Sequence, residues 1–168
     1  MRLSTNRLYP LILTLASMLL LAAPLKSETV DKIFTLNNDN VDAFLVEMIS
    51  EYQRFQREVI EYRRFYEERG DHRGYMVWRQ NAFSPIVRDR NAFYQEMLEQ
   101  NHTFIERQNL DAIFGVFDSL ERFSIDVMQA FVEQDIQATA NARSTLAMNR
   151  QLIDELKRDR ALVLESGE

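Results

Sequence analysis

The sequence predicts an all-α fold: an antiparallel (up-down) four-helix bundle or a long helical hairpin with coiled-coil-like packing, placed after an N-terminal signal peptide. Three observations lead there. Apolar residues recur at helical spacing along most of the chain, and no stretch alternates with the period of a strand. Only four glycines and three prolines occur in 168 residues, too few for the many turns of a sandwich or barrel. Hydrophobic residues make up 46%, an apolar content that excludes wholesale disorder. The length suits one domain.

The N-terminus is read first because it changes the arithmetic. Arg2 and Arg7 give a positive start, Leu11 to Ala23 carries no charge, and small residues follow at Ala22, Ala23 and Ser27. That order is the layout of a secretory signal peptide over residues 1–27. Pro24 disfavours cleavage directly after Ala23, which leaves the bond after Ser27, or after Ala22. The rival reading is an uncleaved anchor in which residues 8–25 alone contact the membrane. The 18 residues between Arg7 and Lys26 just reach the ~17-residue lower limit for a span. Both readings put the rest of the chain outside the cytoplasm, periplasmic or secreted if cleaved and facing out of the inner membrane if anchored. Removing residues 1–27 takes away three cations and no acid, so the net charge falls from −6 to −9. Such a balance argues against nucleic acid as a partner.

Residues 28–38 read as a polar leader, 39–164 as the helical bundle domain and 165–168 as a tail. In the first helix Val41, Leu45, Met48, Tyr52, Phe55, Val59, Tyr62 and Tyr66 keep an alternating 4, 3 spacing, a sustained heptad. Phe44, Ile49 and Phe65 widen the stripe beyond a two-stranded seam, which implies burial against two or more neighbours. Asn38 or Asp39 is the expected cap and Gly70 the stop. Gly70 to Gly74 reads as a reversing loop. A second helical stretch from near Tyr75 meets Ser84-Pro85, where it kinks or restarts with Ser84 as cap. Beyond it, Ile86, Phe93, Met97 and Phe104 form the expected inner line, with Tyr94, Leu98 and Ile105 beside them. Asn109 is the expected cap of a third helix lined by Leu110, Ile113, Phe117, Leu120, Val127 and Phe131, with Asp111, Asp118, Asp126 and Glu133 outside. Asp135 caps a last helix, roughly Ile136 to Val163, lined by Ala142, Leu146, Ile153 and Leu156; one continuous helix through residues 133–136 is the alternative.

Residues with chemical potential are few. The chain has no cysteine, hence no disulfide, thiolate metal site or thiol nucleophile. Glu99 and His102 have the Glu-x-x-His spacing of a di-iron helix, but such sites need that pair twice plus further glutamates. They are weak metal candidates, and a solvated pair one turn apart is the plainer reading. No Gly-rich phosphate loop or serine-histidine arrangement occurs. Asn101-His102-Thr103 matches a glycosylation acceptor, relevant only to a eukaryotic secretory route. Glu47, Glu51, Glu58 and Glu61 are expected along the solvated side of the first helix. The expectation is therefore not an enzyme, and no cofactor is implied.

One region stands out. Between Arg54 and Arg90 lie nine arginines against six acids, interleaved with Tyr62, Phe65, Tyr66, Tyr75, Trp78 and Phe83. Arginine grips carboxylates with a planar fork and stacks on aromatic faces, and Arg, Tyr and Trp dominate interface hot spots. Arg69, Arg73, Tyr75, Trp78 and Arg79, near the first turn, are the candidate partner-binding residues, and Tyr62 and Tyr66, on the heptad stripe, are expected in the core. The expected function is that of a non-enzymatic exported adaptor, chaperone or assembly factor acting through a protein partner, with a homo-oligomer as another outcome. The alternative is a sensory or ligand- or metal-binding bundle, anchored by its N-terminal segment.

Overall fold

The structure, a computed structural model, describes residues 34–162. The expected signal peptide at 1–27 and tail at 165–168 lie outside the described residues. Within them all regular structure is helical and no strand occurs. The order is α1 (Val41–Glu67), α2 (His72–Trp78), a π-helical turn (Arg79–Phe83), α3 (Ser84–Gln100), α4 (His102–Arg107), a 3-10 turn (Asp111–Gly115), α5 (Val116–Val132) and α6 (Ile136–Arg160). No described helix is long and apolar enough to cross a membrane.

Helix α5 is the centre, packed against α1, α2, α3 and α6. The expected stripe is buried throughout, but only Phe117, Leu120, Val127 and Phe131 lie on α5; Leu110 precedes and Ile113 lies within the 3-10 turn, and Asn109, expected as the cap, is left-handed at φ 55°. Phe117 shows why α5 takes this place. Its ring lies 6.2 Å from Tyr52, 6.3 Å from Phe55 and 4.6 Å from Tyr94, so one side chain joins α1, α3 and α5. Burying a ring of this kind contributes ~1.5–3 kcal/mol relative to leaving it in water.

The α1 stripe is buried from Val41 to Val59 and then emerges. Tyr62 and Phe65 are exposed and Tyr66 half-buried, at the end of α1 where Tyr62 meets Trp78 and Tyr66 meets Tyr75 of the short α2. The cap of α1 also differs from expectation: Asn40 precedes the helix without a side-chain cap bond. Asn37 and Asn40 instead brace the turn before it, Asn37 accepting from the Asp39 N–H and Asn40 from the Asn37 N–H. Gly70 does end this region, at φ +60°, a conformation that glycine adopts without strain.

Residues 34–38, expected in a loose leader, are held. Leu36 is buried, and its N–H donates to Asn101 Oδ1 at 2.7 Å. The Asn101 amide nitrogen donates in turn to the Phe34 and Met97 carbonyls. These bonds place Asn101 at the break between α3 and α4.

Ser84 is not a cap. The helix runs on through the π-turn, where the Ser84 N–H reaches the Arg79 carbonyl five residues back, just before Pro85 removes a donor. Helix α3 buries Val87, Tyr94 and Met97, so the expected Met97 and Tyr94 are in the core, whereas Ile86 and Phe93, expected on the inner line, are exposed and the buried edge is turned toward Tyr94. The Tyr94 hydroxyl fixes this rotation by donating to Glu51 across the α1–α3 seam at 2.9 Å. At the last turn Gln134 has φ 55° and Asp135 caps α6, accepting from the Gln137 and Ala138 N–H groups, so α5 and α6 are separate. Helix α6 stops at Arg160, short of Val163, on the left-handed Ala161.

Candidate functional site

The arginine–aromatic region is built where α1 outruns the core. Asp71 starts α2 by accepting from the Gly74 N–H at 2.8 Å. Gly74 is required there, since a Cβ would collide with the Asp71 carboxylate and the Tyr66 ring. This tight turn folds α2 back on α1. Trp78 then stacks on Tyr62 at 4.3 Å with 4° between the planes, and lies 5.2 Å from Phe83 and 5.5 Å from Tyr75. Phe65 packs edge-on against Tyr66, and the Arg69 guanidinium sits 3.6 Å over the Phe65 ring while donating to its carbonyl. Cation–ring contacts of this exposure contribute roughly 0.5–1 kcal/mol, enough to hold Arg69 in place.

The expected binding residues divide. Arg69 and Arg73 are exposed and Trp78 is half-buried at the same surface. Tyr75 is not part of that surface: it is wholly buried, edge-on to Tyr66 and Phe131. Burial pushes its hydroxyl well above the usual tyrosine range, against the pull of Arg79 and Arg63, and the hydroxyl has no hydrogen-bond partner. Arg79 is half-buried, donating to Ser84 Oγ at 3.2 Å with its Nε unpartnered, so it braces the π-turn. Tyr62, expected in the core, takes the surface place that Tyr75 was given. The reason is that Tyr75 packs from α2 onto Phe131 of α5, whereas Tyr62 stacks on Trp78 of the short α2 and remains exposed.

Glu99 and His102 are both exposed, and the closest acid recorded beside His102 is Glu106, at 3.9 Å. Among the described residues no group of three histidine or acidic side chains could hold a metal ion. Asn101 is buried with its amide fully engaged, which makes it inaccessible as a glycosylation acceptor.

Other polar residues were not marked out by the sequence. Glu51, expected in solvent, accepts from Tyr94 and meets Arg54 at 3.2 Å and Arg90 at 3.1 Å, joining α1 to α3. Asn149 is buried on α6 and donates to Tyr52 Oη at 2.8 Å and Ser119 Oγ at 2.5 Å, joining α6 to α1 and α5. Asp126, expected outside, is buried with Oδ2 unpartnered. Burial raises its carboxyl above the ordinary range, partly offset by Arg122 and Asn141. Compared with family models, characterised proteins and solved structures, the chain matches none.

Proposed function

We propose that this is a non-enzymatic exported protein that works by binding another protein, as an adaptor, chaperone or assembly factor. Its docking surface is the end of α1 with α2. The observation that carries this reading is the pairing of exposed or half-buried aromatics with cations at one place. Arg69 covers the Phe65 ring, Tyr62 stacks on Trp78, and the same two helix segments carry the exposed Arg64 and Arg73, which among the described residues form no ion pair. A partner that presents carboxylates beside apolar side chains fits this chemistry, since it would cover the rings and engage the forks.

The arrangement that accompanies the reading is an antiparallel up-down bundle. Arg160 Nε donates to Asp42 at 2.6 Å near the start of α1, and Asn149 meets Tyr52 further along, so rising numbers on α1 meet falling numbers on α6. Export rests on the positive start, the uncharged run and the small residues of 1–27, with removal after Ser27. The direct test is crosslinking in the native compartment with the wild-type chain and with Arg73→Glu and Trp78→Ala. A crosslinked partner that both substitutions release supports the proposal. A partner set unchanged by either one sinks it. The mass of the chain recovered from cells separates cleavage from anchoring.

A further inference from the structure

A groove of about 660 Å³ runs between α1 and α6, apart from the arginine–aromatic surface. Its floor is apolar, with buried Tyr52 and Ile153 and half-buried Leu146. Its rims carry Arg57 on one helix and Arg150 and Lys157 on the other, against the single acid Asp154. Among the described residues none of these three cations is in an ion pair, although the whole chain is acidic at −6. Each could have met one of the many surface acids, and intrachain pairing has instead been used at Arg54, Arg63, Arg88, Arg90 and Arg160.

We infer that this groove binds an extended peptide segment through carboxylates held by Arg150 and Lys157. Size and spacing select that occupant. Arg150 and Lys157 are seven residues apart on α6, so their stems are ~10 Å apart along the axis at ~1.5 Å per residue. Three residues of an extended chain in the polyproline II form, at ~3.1 Å each and three per turn, cover nearly the same distance and bring the first and fourth side chains to the same face. A docked helix of matching length, ~10 Å across over two turns, encloses roughly 800 Å³, more than the groove's volume of about 660 Å³. Gln53 and Gln56 on the α1 rim add amides that can pair with a peptide backbone. The Tyr52 hydroxyl, which accepts from Asn149, retains its own proton to donate.

The test is fluorescence anisotropy of purified protein with a labelled peptide carrying glutamate at every third position, beside the same peptide with glutamine. The glutamate peptide binds saturably and the glutamine peptide at least about tenfold more weakly, because the rim cations provide most of the discrimination. Raising ionic strength from about 10 to about 150 mM shortens the screening length from about 30 to about 8 Å and weakens binding. Arg150→Gln with Lys157→Gln removes most of the affinity, whereas Asp154→Asn strengthens it, a gain that misfolding cannot imitate. Arg73→Gln, outside the groove, leaves the affinity as it was; this separates the groove from the proposed docking surface on α2. Equal binding of both peptides, or an unaltered affinity in the double variant, overturns the inference. So does displacement by a short straight-chain dicarboxylate at concentrations matching the peptide, which would make the groove a small-molecule site.

Discussion

Asn149 offers the sharpest test of how the helices are joined. Its amide donates to Tyr52 Oη on α1 at 2.8 Å and to Ser119 Oγ on α5 at 2.5 Å, and the Ser119 hydroxyl donates to the Val116 carbonyl. Asn149→Ala removes both donors. With a net contribution of about 1 kcal/mol per hydrogen bond, and a further part for the acceptors left in a half-dry seam, the expected loss is ~2–3 kcal/mol. Tyr52→Phe removes one bond and keeps the ring against Phe117, so ~1 kcal/mol is expected. In the double variant the shared bond is lost only once, so the two losses fall short of their sum by ~1 kcal/mol. The assay is urea unfolding followed by circular dichroism, with the comparison restricted to variants whose denaturant slope is unchanged. Losses that add within ~0.3 kcal/mol would mean that the bond does not link the helices in solution, and the α1–α6 register argued from it would fail with it.

Three further outcomes follow from buried polar groups. Tyr75→Phe is expected to stabilise the fold by ~1 kcal/mol in the same assay, because the hydroxyl it removes is buried without a partner; destabilisation would show that the hydroxyl has found one. Burial raises the hydroxyls of Tyr52, Tyr75 and Tyr94 above their unfolded value, and for Tyr94 the Glu51 charge adds to the rise. Their contribution is thus complete below about pH 10 and lost as pH climbs through the folded values. Phenolate absorbance from these three should therefore appear together with loss of helical dichroism, and ionisation ahead of unfolding would contradict this. Asp126 is raised in the same sense, so its protonated form fits the fold best and stability from it declines as pH rises through the folded value. Asp126→Asn should accordingly stabilise near neutral pH, with an advantage that shrinks as pH falls through the folded value and is used up by about pH 4, and a pH-independent difference would refute the assignment.

How much of this could be read from residue order depends on distance along the chain. The heptad from Val41 to Val59, the α5 stripe from Leu110 to Phe131 and the Asp135 cap are local patterns, set by helical period and by a side chain reaching its own backbone two or three residues on. They were legible because nothing remote is needed to produce them, even where, at Leu110 and Ile113, the stripe runs ahead of α5 through the 3-10 turn. The arginine–aromatic composition was equally visible, but its geometry was not. Tyr62 and Tyr75 are both aromatic residues at helical spacing; which one is buried depends on where α5 lies.

Composition and periodicity alone determined that this protein is helical, which stretches become its long helices, and that arginines and rings concentrate around the first turn. Tertiary structure decided what those patterns face. Glu51 and Tyr94 are 43 positions apart, Leu36 and Asn101 65, and Tyr52 and Asn149 97. No local pattern encodes such partners, because a polar side chain in a seam is distinguished from one in water only by the helix that comes to rest against it. The groove between α1 and α6 has the same origin: its cations are ordinary surface residues on each helix, and become a site when two distant helices lie side by side.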